Sequence, residues 1–185
     1  MVGENDAAVN SFDENPSTIW HTEWFNASPP PPHEIQINLG ATSSLTGFLY
    51  LPRQDGCSNG WINQYEFYVS QDGVNWGTPV ASGIFDYGSA VTGCPGASVP
   101  PAIRVTFTPT PGHYVRVRAL SEINGNPWTS MAELNLLGGT TPLVIVSSLT
   151  LNPASVVGGS SSQGTVTLSG AAPSGGAVEI GRAHV

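Results

Sequence analysis

With 185 residues, the chain has room for one full domain and part of another. Gly (22) and Pro (16) are abundant, charged residues make up 10%, and 13 acidic against 5 basic residues give a net charge of −8. Every basic residue is an arginine, so the basic footprint that a nucleic-acid backbone or an anionic membrane requires is missing.

The opening MVGENDAAVNSFD lacks the basic and apolar segments of a signal peptide, and no apolar run approaches the roughly 18 residues of a spanning helix. Residues 1–30 read as polar loop closing on Pro29–Pro32. EIQINL (34–39) places Ile35, Ile37 and Leu39 on one face, GFLYLP (47–52) follows, and QYEFYVS (64–70) alternates Tyr65, Phe67 and Val69, all strand signatures. SQDGVNW (70–76) carries a hairpin-like Asp-Gly bend, and a Gly/Ser/Pro-rich excursion runs from Gly83 to Pro101. AIRVTFT (102–108) and HYVRVRAL (113–120) are expected to pair antiparallel across the PTPG turn, with 121–130 as loop and MAELNLLG (131–138) as the last strand. Helical periodicity is not sustained anywhere, and roughly seven or eight strands predict an all-β, antiparallel β-sandwich.

Residues 139–146 read as a linker. Beyond them, 147–178 repeat Thr, Leu and Val between Gly/Ser turns, resembling the opening strands of a bacterial immunoglobulin-like repeat, too short to close a sandwich of about 100 residues. EIGRAHV (179–185) breaks that pattern and matches the translation of a sequencing-adapter oligonucleotide, as in a gene assembled from environmental reads; it is set aside as a non-native tail, with His184.

Cys57 and Cys94 both sit in Gly/Ser/Pro-rich loops. They read either as one disulfide formed in an oxidising compartment or as two unrelated thiols. Two cysteines alone cannot build a structural zinc site, and no His stands near either at ligand spacing. The carboxylates are scattered in turns rather than paired across a cleft, as glycoside hydrolysis needs. No nucleophile elbow, zinc-binding helix or phosphate loop occurs, so an enzyme is not expected.

FDENPSTIWHTEW (12–24), INLG (37–40), YLPRQDG (50–56), VSQDGVNW (69–76), YVRVRA (114–119) and MAEL (131–134) together resemble the discoidin, or coagulation-factor type C, superfamily. The resemblance covers Glu4 to Gly138 and is nearest to the family 32 carbohydrate-binding modules of secreted glycoside hydrolases. It implies a discoidin-like jelly roll over residues 1–138, here without the family's usual opening strand.

Asp13, Asn15 and Thr18 bring carboxylate, amide and hydroxyl oxygens within one short loop, a set suited to calcium, which takes 6–8 oxygens. The resemblance adds the carbonyls of Asn10 and Ala132 and the carboxylate of Glu133, making a structural Ca2+ that ties the first loop to the last strand. Glu14 departs from the glycine usual there. The alternative is an Asx-type turn without metal.

Sugar recognition needs an aromatic face for the C–H side of the ring and convergent donors and acceptors for its hydroxyls. His21, Trp24, Arg53 and Asn59 line up with the family's binding set, Trp128 matches its stacking aromatic, and Glu4 an acidic hydroxyl acceptor. Each has a plainer reading: Trp24 as a buried anchor, Arg53 as partner of Asp55 or Glu122, Trp128 as a cover for the calcium loop. Trp20, Trp61 and Trp76 read as packing residues, His33 and His113 as ordinary surface, and Arg104, Arg116 and Arg118 as charges on an outer sheet face. A Cys57–Cys94 bridge would pin the 83–101 excursion beside Arg53 and Asn59.

Residues and resemblance together imply an extracellular, non-catalytic, calcium-stabilised module for galactose-type or N-acetylhexosamine sugars. It would bind no nucleic acid, and it would tether a larger multidomain secreted hydrolase to glycans. The alternatives are a protein- or lipid-binding adhesion domain, or a module whose sugar site has decayed.

Overall fold

The computed structural model describes residues 6–140 and 146–170. Glu4 and the 179–185 tail therefore lie outside the described residues. The chain divides into two compact units, one ending at Thr141 and the other beginning at Pro142.

In the first unit a 3-10 turn, Ala8–Phe12, precedes β1 (Trp20–His21), β2 (His33–Leu51), β3 (Gln64–Ser70), β4 (Ala81–Ile84), β5 (Ile103–Ala119), β6 (Ser130–Met131) and β7 (Glu133–Thr140). All pairings are antiparallel, in a five-stranded sheet ordered β4-β3-β5-β2-β7 and a two-stranded ribbon β1-β6.

Two expectations are corrected here. The strands read at 34–39 and 47–52 are one strand, because the polar stretch between them finds ladder partners. Ser43 to Leu45 pair with β5 on one side and β7 on the other. Likewise 102–108 and 113–120 do not pair with each other across PTPG but form a single strand lying along β2. Pro109 and Pro111 are tolerated because β3 ends at Ser70, opposite Tyr114, leaving that side of β5 without a ladder for missing N–H groups to break. The last strand is divided at Ala132, whose N–H donates to Leu51 O at 2.9 Å, and β7 runs two residues past Gly138.

The five-stranded sheet folds over on itself. β3 pairs with the second half of β5, and β7 with the second half of β2, so the long strands pass from one layer into the other, bending where the β2 register shifts between Asn38 and Ser43. Phe48 on β2 and Phe67 on β3 are not ladder neighbours, yet their rings stack at 4.3 Å. Such a contact forms when the two halves face each other as a sandwich. Tyr65, Phe85 and Tyr50 extend the aromatic column, with Tyr65–Phe85 at 4.1 Å and Tyr50–Phe85 at 4.4 Å. Trp20 belongs to this core, and Trp61 is fully buried against Tyr87.

On the outer face Arg116, its side chain 17% exposed, lies over the rings of Tyr68 and Trp76, and Arg118 pairs with Glu66 at 2.8 Å; these two charges face away from the core as expected, but they are stacked and paired rather than solvated. His33 is not an ordinary surface residue. Its Nε2 donates to Pro29 O and its Nδ1 accepts from the Thr129 hydroxyl, both at 2.9 Å, fastening the proline stretch to the sheet.

In the second unit, the segment read as the start of an immunoglobulin-like repeat forms a hairpin of β8 (Val146–Asn152) and β9 (Gln163–Leu168). No helix among the described residues is long and apolar enough to cross a membrane.

Candidate functional site

Loops leaving the strands build a cleft of about 420 Å³ lined by His21, Trp24, Arg53, Asp55, Cys57, Asn59, Cys94 and Trp128. Five of the six residues expected to meet sugar thus converge; Glu4 falls outside the described residues.

Arg53 emerges from β2 behind the buried Pro52, its side chain 13% exposed. Its Nε donates to Asp55 Oδ1 at 2.8 Å, its Nη2 to Asp55 Oδ2, and its Nη1 to Asn59 O at 3.3 Å. Of the two partners expected for it, Asp55 is the one it takes. Burial alone would raise the Asp55 carboxyl, but the hydrogen bonds and charge of Arg53 hold it below the usual carboxylate range. Asn59 O also accepts from Ser130 Oγ at 2.7 Å. The neighbouring Gly60 takes φ +87°, where a Cβ would meet Ser130 N at 2.5 Å, so only glycine fits this close approach to β6.

Glu122 organises the floor of these loops. Buried, it accepts Gly60 N at 3.1 Å, Asn124 N at 2.6 Å and Asn126 N at 2.9 Å, joining the Asn59 loop to the loop that carries Trp128. The opposite wall is β1. His21 Nδ1 lies 2.7 Å from Thr22 O, so that nitrogen donates its proton to the carbonyl. Trp24 is 41% exposed, not a buried anchor, and Phe25 meets it edge-on at 5.9 Å. Trp128 lines the cleft, its Nε1 buried without a hydrogen bond.

Cys57 and Cys94 are joined, which settles their pairing and sets the bridge into the cleft wall. Ser58 N donates to Gly93 O at 2.8 Å, Gly93 N to Ser58 Oγ at 2.9 Å, and the N–H groups of Gly96 and Ala97 to Gly56 O at 3.0 Å. The 83–101 excursion is thereby pinned beside Arg53 and Asn59. Reasoning from sequence named Asp55 and Glu122 only as possible partners of Arg53, not as builders of the cleft. The signals available were the Asp-Gly turn two residues beyond Arg53 and the Glu-x-Asn-x-Asn run of the second loop.

A second constellation joins the 13–18 loop to β7. The Thr18 hydroxyl lies 3.1 and 2.9 Å from the two Asp13 oxygens and 2.8 Å from Asn15 O, one hydrogen among three acceptors. Glu133 is 3% exposed, and neither of its oxygens accepts a well-formed hydrogen bond. Burial, then the nearby Asp13 charge, raises its carboxyl above the usual range. Oxygens outnumber donors here and two carboxylates lie close together, so the residues fit a hard cation. Asn10 and Ala132 are buried close by in sequence, and Asn10 Nδ2 donates to Ile19 O at 2.9 Å. Glu14 adopts φ 62°, the left-handed conformation in which glycine is at ease.

The F5/8 type C domain model matches residues 2–134. A galactose oxidase from Gibberella zeae is 42% identical over 127 residues, covering 68% of this chain and 17% of the enzyme. A sialidase from Micromonospora viridifaciens is 39% identical over 136 residues, covering 73% of this chain and 19% of its own length. The chain thus spans under a fifth of these curated relatives. Among solved structures, CpGH89CBM32-5 from Clostridium perfringens, in complex with GalNAc-β-1,3-galactose, superposes with a TM-score of 0.62 at 32% identity, covering 74% of this chain and 87% of that one. The family 32 carbohydrate-binding module of C. perfringens NanJ, in complex with galactose, gives 0.57 at 30% identity, covering 71% and 84%.

Proposed function

From the premise that this chain belongs to the F5/8 type C domain family and is a non-catalytic carbohydrate-binding module, we propose that its cleft holds a terminal galactose-type or N-acetylhexosamine residue. The observation that carries this reading is the convergence of Arg53, His21, Asn59 and the exposed Trp24 on one concavity. Trp24 and Trp128 offer apolar faces to the C–H side of a pyranose. His21 and the Asn59 amide, which line the cleft, would meet hydroxyls. Of the five N–H donors of Arg53, three serve Asp55 and Asn59, and the remaining two, one on each Nη, would serve sugar hydroxyls.

Isothermal titration with galactose, N-acetylgalactosamine, N-acetylglucosamine and a galactan oligosaccharide tests this reading. Binding to one of them at millimolar or better affinity is expected, weakened at least tenfold by Arg53→Ala, about 1.4 kcal/mol. No heat from the folded protein with any of them would refute it. The exposed Trp24–Phe25 pair, with Phe25 72% exposed, supports the second reading, adhesion through apolar spikes; sugar-independent binding to vesicles or protein partners would favour that one.

Asp13, Asn15, Thr18 and Glu133, with the carbonyls of Asn10 and Ala132, would hold calcium, its role being to neutralise the Asp13–Glu133 pair and lock the first loop onto β7. At free calcium 100-fold above its dissociation constant the gain is about 2.7 kcal/mol, roughly 10 °C in Tm. Scanning calorimetry with calcium or with chelator should show that shift, and Glu133→Gln should abolish it. Equal Tm values in both conditions would leave the 13–18 loop as a plain Asx turn.

The disulfide suits an extracellular module. As part of a longer secreted hydrolase it would raise local substrate concentration by tethering, which retention of the protein on insoluble galactan would register.

A further inference from the structure

The charges that line the cleft balance one another, and this bears on which sugars it accepts. Among the described residues, Arg53 and Asp55 are the charged side chains that line it, and His21 is the other titratable one. The Arg53 guanidinium is held edge-on by both oxygens of Asp55, an arrangement that saturates the fork a carboxylate would otherwise take. Asp55 in turn accepts the N–H of Cys57 at 3.1 Å, so the disulfide loop fixes it in this position. Its side chain keeps 49% exposure.

We infer, building on the sugar-binding reading above, that the cleft selects neutral hexopyranosides and rejects uronate and other carboxylated sugars, with Asp55 as the residue that enforces the choice. A neutral ring needs two N–H donors for adjacent hydroxyls, and Arg53 still has two after serving Asp55 and Asn59. An anionic sugar needs an uncompensated cation. It finds instead an arginine whose charge Asp55 already balances, so the Coulomb attraction that would offset the ligand's desolvation is missing. Asp55 therefore has two roles: it positions Arg53, and it cancels the positive charge that an anionic ligand would seek.

The test compares methyl β-galactoside with methyl β-galacturonide, which differ at C6 by hydroxymethyl against carboxylate, and adds the neutral methyl ester of the latter. Each is titrated against the 185-residue chain and against Asp55→Asn, which retains an acceptor for Arg53 Nε and Cys57 N while removing the charge. The unmodified chain is expected to bind the galactoside at least about tenfold more tightly than the galacturonide, with the ester recovering much of the difference. In Asp55→Asn the galactoside-to-galacturonide ratio should fall about tenfold. Equal binding of the two glycosides by the unmodified chain would overturn the inference. So would an ester as weak as the acid, or an unchanged ratio in a variant that still binds the galactoside. If the unmodified chain binds none of the three, the sugar-binding reading itself fails, and this inference falls with it. The ester comparison needs no variant, so the inference stays open to refutation even if Asp55→Asn does not fold.

Discussion

Reduction of the Cys57–Cys94 bridge is expected to lower the stability of the module by about 3–4 kcal/mol. The bridge closes a loop with a sequence separation of 37, and the chain-entropy treatment of a loop that long gives a figure of that size. The loop would not come free. The hydrogen bonds between Ser58 and Gly93 and from Gly96 and Ala97 to Gly56 would still hold its base, so a reduced, folded protein should exist in mild conditions. In that state sugar affinity should fall several-fold, because one wall of the cleft has lost its covalent tie. Urea melts with and without reductant give the first quantity, and titration of the reduced protein gives the second. An unchanged midpoint would mean that the hydrogen bonds alone hold the excursion, and an unchanged affinity would remove that wall from recognition.

Glu122→Ala should cost about 3 kcal/mol, without the residue touching the sugar. The carboxylate accepts three backbone N–H groups, from Gly60, Asn124 and Asn126, and lies 3.3 Å from the side-chain nitrogens of Asn124 and Asn126. It is 3% exposed, so truncation strands several buried donors at once, and an unsatisfied buried polar group costs about 1–3 kcal/mol. Because Gly60 follows Asn59, the loss should also blur the cleft, weakening sugar binding more in Glu122→Ala than in Glu122→Gln, which keeps one acceptor. Urea denaturation and the same titration read both effects. A cost below about 1 kcal/mol would show that solvent replaces the carboxylate without penalty.

The fold was legible where sequence period and burial agree. Tyr65, Phe67 and Val69 alternate on β3 as a half-buried strand should, and the antiparallel sandwich follows from such runs. Strand continuity was not legible. GATSSLT and TPTPG carry every local mark of a turn, and the partners that keep them extended are distant in sequence: β7 against 43–45 and β2 against 110–112. Local propensity yields to ladder partners it cannot see. In the site, Arg53, His21 and Trp24 were singled out because they line up with the binding set of the family the sequence resembles, and the fold brings them to one cleft. Asp55 and Glu122 were read only as possible partners of Arg53; that Glu122 instead gathers the backbone N–H groups of two loops was not legible, because a carboxylate in a turn looks the same whether it faces solvent or a buried loop. The Cys57–Cys94 pairing left two readings open until the loops were seen side by side.

The long strands β2 and β5 run through both layers of the sandwich. A molecule built this way has no seam along which it can open, since sliding one layer past the other would tear ladders that belong to both. The loops of the cleft therefore stand on a base that does not shift, and a ligand held there would not have to assemble the layers beneath it. Little ordering entropy is lost on capture, and encounter is governed by diffusion and orientation rather than by a closing motion. If the module sits on a long glycan, as proposed, contact would be rapid, shallow and reversible, with residence set by how many such contacts are made at once.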